Sequence, residues 1–247
     1  MKLENKFAIV TGGASGLGKA ISEFLLKNNL KVAILDINAK ALNSIKNNKN
    51  LLKIKCDLTK ESEISKAIKL IKDKFKEIDV LINNAGILFS EPLINITSKN
   101  KKHSLDSWRK IIDINLSAPF VISSYVVEQM VINRTKGLII NISSICAKGN
   151  AGQSAYSAAK AGIDSLTSVW AKELGSFGIR CVSIAPGYIN TTSTNTAIKK
   201  ALIKSLKKEI PLRKLGNAEN VVHAVKFVIE NDYINGKIIP VDGGLVI

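Results

Sequence analysis

Apolar and polar positions divide this chain into short apolar runs separated by longer amphipathic stretches. The short runs are rich in Ile and Val and lack polar alternation, which is typical of parallel strands buried on both faces. In the longer stretches apolar residues recur at helical spacing, as Ile64, Ile68 and Ile71 do. The pattern predicts strands over residues 7–11, 31–36, 51–56, 79–84, 137–143, 180–186 and 236–242, and helices over 17–28, 60–76, 106–131, 154–174 and 217–230.

This alternation predicts an α/β fold in a single domain, residues 1–247, with a Rossmann-like, doubly wound parallel sheet. We expect about seven strands, with helices on both faces of the sheet. Residues 87–105 and 187–216 follow strands at their carboxyl ends and are long for connecting loops. Because ligands bind at those ends of open parallel sheets, we expect both loops to contact substrate or cofactor.

The composition is that of an ordinary soluble globular protein, with 46% hydrophobic and 23% charged residues. No apolar run approaches the roughly 20 residues that a membrane span needs, so we expect no membrane segment. Strand-like sequence begins at Phe7, which leaves no room for a targeting peptide and indicates a cytoplasmic protein. The net charge of +16 suits a nucleic-acid surface, but the lysines are spread along the chain and aromatic residues make up only 5%. We therefore expect no nucleic-acid partner.

Cysteine and histidine offer no pattern of metal ligands. Cys56, Cys146 and Cys181 are widely spaced and lie in or beside apolar runs, which argues against a zinc site and a disulfide framework. His103 is predicted to be an exposed loop residue, and His223 to lie within the helix over 217–230. We expect no bound metal.

The stretch "TGGASGLG", residues 11–18, follows a predicted strand and opens a predicted helix. A helix N-terminus preceded by glycines can receive a pyrophosphate, although such a loop alone also fits a plain turn. Asp36 ends the second strand, where a carboxylate can accept hydrogen bonds from the adenosine ribose hydroxyls and repel a 2′-phosphate. Ser15 supplies no positive charge to offset that repulsion, so the sequence favours NAD(H) over NADP(H). The alternative is that Asp36 caps a helix over 38–48.

Tyr156 and Lys160 lie four residues apart on a predicted helix and therefore share a face. A neighbouring ammonium favours the phenolate, and lowering the tyrosine pKa by about 3 units needs roughly 4 kcal/mol. Tyr156 is therefore a candidate proton carrier near neutral pH. A Tyr-x-x-x-Lys pair alone is more often a surface pair.

The order and spacing of several motifs resemble the short-chain dehydrogenase/reductase family over essentially the whole chain. They are "TGGASGLG", "CDLT" at 56–59, "NNAG" at 83–86, "NISS" at 141–144, "YSAAK" at 156–160, "APG" at 185–187 and "VDGG" at 241–244. The resemblance implies hydride transfer between a nicotinamide cofactor and a carbonyl or alcohol carbon.

Residue roles follow from this resemblance. Tyr156 is implied to be the acid/base, and Lys160 to lower its pKa while holding the nicotinamide ribose. A serine of "NISS" would bind the substrate oxygen, and Asn115 would order a water that relays protons. The implied catalytic residues are Asn115, Ser144, Tyr156 and Lys160; the implied cofactor-binding residues are Gly12, Ser15, Gly16, Leu17, Gly18, Asp36, Asp57, Leu58, Asn84, Ala85, Gly86, Tyr156, Lys160, Pro186, Gly187, Ile189 and Thr191.

The choice of serine depends on strand register. Ser143 satisfies the family's usual count to the tyrosine, whereas aligning the strand itself selects Ser144 and implies a one-residue deletion in the following loop. Because burial fixes strand register while loops tolerate deletions, we predict Ser144 and keep Ser143 as the alternative.

The substrate class is a further expectation from the resemblance. The stretch "ILFSEPLINITSKNKKHSLDSW" looks like the insertion of type-2 3-hydroxyacyl-CoA dehydrogenases, which favours a 3-hydroxyacyl-CoA or related ketone substrate. Lys99, Lys101 and Lys102 could meet acyl-CoA phosphates or simply be solvated. A 3-oxoacyl-carrier-protein reductase is the alternative, since "GNAGQSAYSAAKAG" is similar to those enzymes, which usually use NADPH. A third alternative is a non-catalytic scaffold of the same fold.

Family members assemble as tetramers through two long helices, which here span residues 106–131 and 154–174. We therefore expect a homotetramer. Val126, Val127, Leu166 and Val169 could serve that contact or the core of the domain, and the sequence leaves both open.

Overall fold

Strands and helices alternate in the computed structural model, which describes residues 6–97, 100–190 and 200–247. The strands are β1 (Phe7–Thr11), β2 (Lys31–Asp36), β3 (Leu51–Lys55), β4 (Val80–Asn83), β5 (Leu138–Ile142), β6 (Arg180–Pro186) and β7 (Ile238–Val241). The helices are α1 (Gly16–Lys27), α2 (Ala39–Ser44), α3 (Glu61–Lys74), α4 (Leu105–Ile112), α5 (Ala118–Ile132), α6 (Ser154–Leu174), α7 (Lys200–Glu209) and α8 (Ala218–Glu230).

In the described residues all strands pair in parallel in one seven-stranded sheet, in the order β3-β2-β1-β4-β5-β6-β7. This confirms the predicted doubly wound α/β fold. The order reverses between β1 and β4, and in such sheets the ligand crevice opens outside the carboxyl ends of the strands at that point.

Alternate residues of the central strands face opposite helix layers. Val10 and Ile82 pack with α1 and α8 on one face, whereas Ile9 and Leu81 pack with α3, α5 and α6 on the other. All four side chains are fully buried. Burial of both faces explains why these strands read as continuous apolar runs rather than alternating ones.

One predicted helix contains an irregularity, and one predicted loop needs correction. The helix predicted over 106–131 is the continuous helical run Leu105–Ile132, in which a π-helical segment, Asp113–Ser117, separates α4 from α5. The predicted loop 187–216 contains α7, and Leu206 of this helix and Ile210, directly after it, are buried. The apolar spacing of these two residues is helical, but the flanking lysine-rich sequence obscures it.

The helical run Leu105–Ile132 corrects the expectation that no stretch could span a membrane. By length and composition alone it qualifies, with mean hydropathy 1.3 in its most apolar 18 residues, of which 39% are buried. Ile122, Val126 and Met130 of this run pack against the sheet, so it belongs to the core of this fold. Phe120, by contrast, is 52% exposed on its outer side.

Candidate active site

The glycine loop, residues 11–18, connects the carboxyl end of β1 to the start of α1. Gly12 has a φ of +61°, and its N–H donates to Leu35 O at 2.7 Å, so the loop turns back across β2. A Cβ at Gly18 would collide with the Gly12 carbonyl and with Asn84 Nδ2. The lack of side chains therefore lets the N-terminus of α1 approach the loop directly, which is the arrangement that binds phosphate.

Asp36 lies at the carboxyl end of β2, beside this loop, and is 9% exposed. Its Oδ2 accepts from Ala14 N at 3.0 Å and its Oδ1 from Asn38 N at 2.9 Å. The carboxylate thus holds the glycine loop while lining the cleft. Helix α2 is capped instead by Asn38, whose Oδ1 accepts from Ala41 N at 3.0 Å. The alternative role of Asp36 as the helix cap is therefore wrong.

Thr11, which the sequence analysis did not single out, joins β1 to the segment after β4. Its Oγ1 accepts from Asn84 N and Ala85 N, both at 3.0 Å. In return, Asn84 Nδ2 donates to Thr11 O at 2.9 Å and to Gly12 O at 3.2 Å. These bonds fix the "NNAG" segment at the point where the strand order reverses. The signal that the sequence offered for this role was a threonine at the end of the first predicted strand.

Asp57 and Leu58 follow β3 and line the same cleft. Asp57 Oδ1 accepts from Thr59 Oγ1 at 2.7 Å and from Thr59 N at 3.0 Å, which lowers the pKa of the Asp57 carboxyl. The turn therefore holds a charged side chain near the end of β2.

Tyr156 and Lys160 face the cleft from the first turns of α6. Lys160 Nζ donates to Ile142 O at 2.8 Å and lies 5.7 Å from the centroid of the Tyr156 ring. The Ser144 hydroxyl acts on the Tyr156 hydroxyl in the direction that favours the phenolate and so lowers the Tyr156 pKa. The two residues thus share a cleft rather than forming a surface pair.

Burial controls both titrating groups. It raises the pKa of Tyr156 to about 12, with a smaller contribution from Cys146. It lowers the pKa of Lys160 to about 8, against the opposing effects of Asp164 and Cys146. Desolvation of the phenolate is therefore the largest influence on the Tyr156 pKa in this arrangement, and a lowering of that pKa by Lys160 stays a prediction.

Asn115 lies in the π-helical segment and is fully buried. Its Nδ2 donates to Ile111 O and Ile87 O, both at 3.0 Å, and its Oδ1 accepts from Ile87 N at 3.2 Å. A Cβ at Gly86 would lie 2.6 Å from Asn115 Oδ1 and 3.7 Å from Lys160 Nζ. The π-helical turn thus presents the Asn115 side chain to Gly86 and Ile87, which line the cleft. Such turns are frequent at functional sites.

The two adjacent serines have different partners. Ser144 influences the Tyr156 hydroxyl, and its Oγ accepts from Cys146 N at 3.1 Å. Ser143 Oγ donates to Lys160 O at 3.4 Å. Burial raises the pKa of Asp164, and Ser143 and Ser183 oppose that shift. Ser144 therefore adjoins the phenol, whereas Ser143 adjoins the backbone of α6.

A cleft of about 440 Å³ joins these parts. Gly18 is not part of its lining and packs beneath the glycine loop, whereas Thr191 lies outside the described residues. All other predicted catalytic and cofactor-binding residues line the cleft, including Pro186 at the end of β6 and Gly187 and Ile189 after it. Sequence reasoning missed Ile87, Leu88, Cys146, Gln153 and Tyr188, which line it as well.

A family model for short chain dehydrogenases matches residues 6–202. The chain belongs to this family. It is 35% identical to the 3-oxoacyl-[acyl-carrier-protein] reductase FabG of Thermotoga maritima, with all of both chains covered. It is 34% identical to the human 3-hydroxyacyl-CoA dehydrogenase type-2, covering 96% of this chain and 94% of the relative.

Solved structures are also similar. A short chain dehydrogenase from Bacillus anthracis has a TM-score of 0.89 at 30% identity, covering 98% of this chain and 97% of that one. Family membership confirms an oxidoreductase acting on CH–OH groups, in a family that generally uses a nicotinamide cofactor.

Proposed function

We propose that this chain is an NAD(H)-dependent oxidoreductase that interconverts 3-hydroxyacyl-CoA and 3-oxoacyl-CoA. One observation carries the proposal: a single cleft is lined by Asp36 at the end of β2, by Ser144 after β5, and by Tyr156 and Lys160 in the first turns of α6. The named activities of the relatives share the 3-position of an acyl thioester, which supports that substrate class.

The residues of the cleft fit a dinucleotide. The absence of side chains at Gly12 and Gly18 lets the glycine loop pack closely against Asn84 at the N-terminus of α1, and Asp36 offers carboxylate oxygens where a ribose diol would bind. A nicotinamide group supplies or accepts the hydride when it is bound. The negative charge of Asp36 repels a 2′-phosphate and therefore favours NAD(H) over NADP(H). Position 15 is a serine rather than a basic residue, so it offers no positive charge to bind that phosphate. Pro186, Gly187, Ile189 and Thr191 complete the proposed cofactor set.

In this proposal Tyr156 Oη gives a proton to the carbonyl oxygen during reduction and removes it during oxidation. Ser144 Oγ, which lines the cleft with Tyr156, orients the substrate oxygen. Lys160, with its ammonium beside the Tyr156 ring, stabilises the phenolate as the proton leaves. Asn115 fixes Ile87 and hence the wall of the cleft.

A carrier-protein thioester is the second candidate substrate, because FabG enzymes from Thermotoga maritima and Buchnera aphidicola are 35% and 38% identical to this chain. Lys101 and Lys102 are exposed and suit the phosphates of either carrier, while Lys99 lies outside the described residues. A non-catalytic scaffold is disfavoured by the shared placement of Tyr156 and Lys160 in the cleft.

We further propose a cytoplasmic homotetramer that uses the outer sides of α5 and α6. Phe120 and Val169 are 52% and 40% exposed there, and such apolar surface suits a subunit contact. Light scattering after gel filtration measures the assembly directly: four chains support the proposal, and a monomer contradicts it.

The experiment that tests the function follows oxidation of NADH and of NADPH with acetoacetyl-CoA, an acetoacetyl carrier-protein mimic and a ketosteroid in parallel. We expect the highest kcat/KM with NADH and acetoacetyl-CoA. A preference for NADPH with the carrier-protein mimic alone would replace the first candidate by the second. No turnover with any pair would favour the scaffold.

A further inference from the structure

His103 and Glu91 form a partly buried pair that the proposed reaction does not use. The His103 side chain is 9% exposed, so the expectation of an exposed loop histidine is wrong. His103 Nδ1 lies 2.9 Å from the backbone oxygen of Glu91 and therefore carries a hydrogen, because a carbonyl only accepts. Nε2 lies 3.8 Å from Glu91 Oε2, and neither of these buried atoms has a hydrogen-bond partner in the described part of the chain.

Glu91 also connects this pair to two helices. Its Oε1 accepts from Ser104 N at 3.1 Å, and the side chain of Ser104 caps α4. Its backbone bridges to Gln153, whose Nε2 donates to Ser90 Oγ at 3.2 Å. Gln153 lines the cleft immediately before α6 and three residues before Tyr156. A continuous set of contacts therefore runs from His103 to the start of the catalytic helix.

The segment that these contacts hold is the β4–α4 loop, residues 84–104. Its first part forms the cleft wall through Ile87 and Leu88. Its outer part is a hairpin closed by the bridge between Ile94 and Lys102, and Leu93, Ile94 and Ile96 are exposed there. Since these outer side chains bury little apolar surface, the contacts at the base of the hairpin carry much of the positioning.

We propose that Glu91 and His103 are positioning residues that clasp the β4–α4 loop against Gln153 and so shape the substrate end of the cleft. The identity of the substrate in this inference rests on the proposed function. The aromatic ring of Trp108, edge-on to His103 at 6.4 Å between centroids, closes the other side of the imidazole. The clasp acts on substrate binding because it holds the cleft wall and does not touch the glycine loop.

Steady-state kinetics with acetoacetyl-CoA test the clasp. His103→Leu, which removes both ring nitrogens, and Glu91→Gln, which removes the charge but keeps an acceptor for Ser104 N, should each raise KM about tenfold. Both should leave kcat and the Kd of NADH within about twofold. His103→Asn keeps an N–H donor near the position of Nδ1 and should recover part of the loss. His223→Gln, at the exposed histidine of α8, is the matched control and should change nothing.

Two further readouts need no substrate. The chain has only two histidines, so long-range ¹H–¹⁵N spectra of the His223→Gln protein report His103 alone. We expect neutral His103 as the Nδ1–H tautomer, whereas exposed imidazoles favour Nε2–H. Amide hydrogen exchange in the β4–α4 loop should be about tenfold faster in Glu91→Gln.

These results separate the clasp from the proposed function. If no acyl thioester is turned over by the native protein, the proposed function fails, and the tautomer and exchange data still decide the clasp. An Nε2–H tautomer, unchanged loop exchange, or a fall in kcat with KM unchanged would each overturn it.

Discussion

Different kinds of groups determine the structure at the two ends of the cleft. At the glycine loop, positions are set by the main chain: Asp36 accepts from two backbone N–H groups, and a Cβ at Gly18 would have no space. At the start of α6, positions are set by two titratable side chains, the partly buried Tyr156 and the buried Lys160, whose pKa values desolvation moves in opposite directions.

This difference separates stability from activity. The glycine-loop end satisfies its polar groups, so changes there should weaken both folding and cofactor binding. At the α6 end the amino group of Lys160 is buried away from water. This burial lowers the free energy of unfolding, a cost of the kind that functional sites retain. Changes there should remove activity without destabilising the protein.

The largest expected effect is at the α6 end. Tyr156→Phe removes the proton carrier and should lower kcat about 1,000-fold, while the Kd of NADH stays within about twofold. Stopped-flow NADH oxidation and fluorescence titration measure the two quantities. Tyr188→Phe, at another tyrosine of the cleft lining, is the matched control and should retain most of the turnover. Equal losses in both variants would contradict the assignment.

Lys160→Met tests whether burial of the Lys160 amino group destabilises the protein. Because burial lowers the Lys160 pKa from 10.5 to about 8, the unfolded chain binds the extra proton between these values. Stability of the native protein should therefore rise with pH across this window, by up to about 3 kcal/mol from this group. The variant should be the more stable protein below pH 8, with the difference shrinking toward pH 10.5. Urea unfolding at several pH values measures it.

Lys172→Met, at an exposed lysine of the same helix, controls for the loss of a lysine. A Lys160→Met protein that is less stable than the native one at every pH would show that burial of Lys160 does not destabilise the native protein.

Gly18→Ala should act in the opposite sense at the glycine loop. The new Cβ meets the Gly12 carbonyl and Asn84, and backbone atoms yield little, so we expect about 2 kcal/mol of destabilisation together with weaker NADH binding. Gly175→Ala is the matched control, since its Cβ would have no neighbour closer than 3.9 Å and its φ is −59°. Thermal unfolding with and without NADH distinguishes them; a Gly18→Ala protein with native stability would contradict the packing argument.

Asp36→Ala should have the smallest effect, about a tenfold loss of NADH affinity with little change for NADPH, so that the gap between the cofactors narrows. Asp36→Asn keeps one acceptor and should lie between the two. Fluorescence titrations with both dinucleotides measure this, and Asp73→Ala on the exposed side of α3 is the control. An unchanged ratio of the two affinities would remove Asp36 from the choice of cofactor.

The sequence predicted most of the first end and less of the second. The glycine loop, Asp36 and the Tyr156–Lys160 pair are local patterns. The strand or helix to which each belongs determines its position, so the sequence is enough to predict it. The turn of Asn115 toward Ile87 depends on a π-helical residue that helical periodicity does not reveal. The burial of His103 depends on contacts with Glu91, 12 residues away in the chain, which only the paired hairpin brings about.

Hydride transfer is the central claim, and transfer of deuterium tests it most directly. NADH carrying deuterium at C4 is mixed with the native protein and acetoacetyl-CoA, and the product is analysed by mass spectrometry. We expect one deuterium at C3 of 3-hydroxybutyryl-CoA, delivered from one face of the nicotinamide, and none with Tyr156→Phe in the same time. Oxidation of NADH without deuterium in the product, or equal transfer by the variant, would contradict the account.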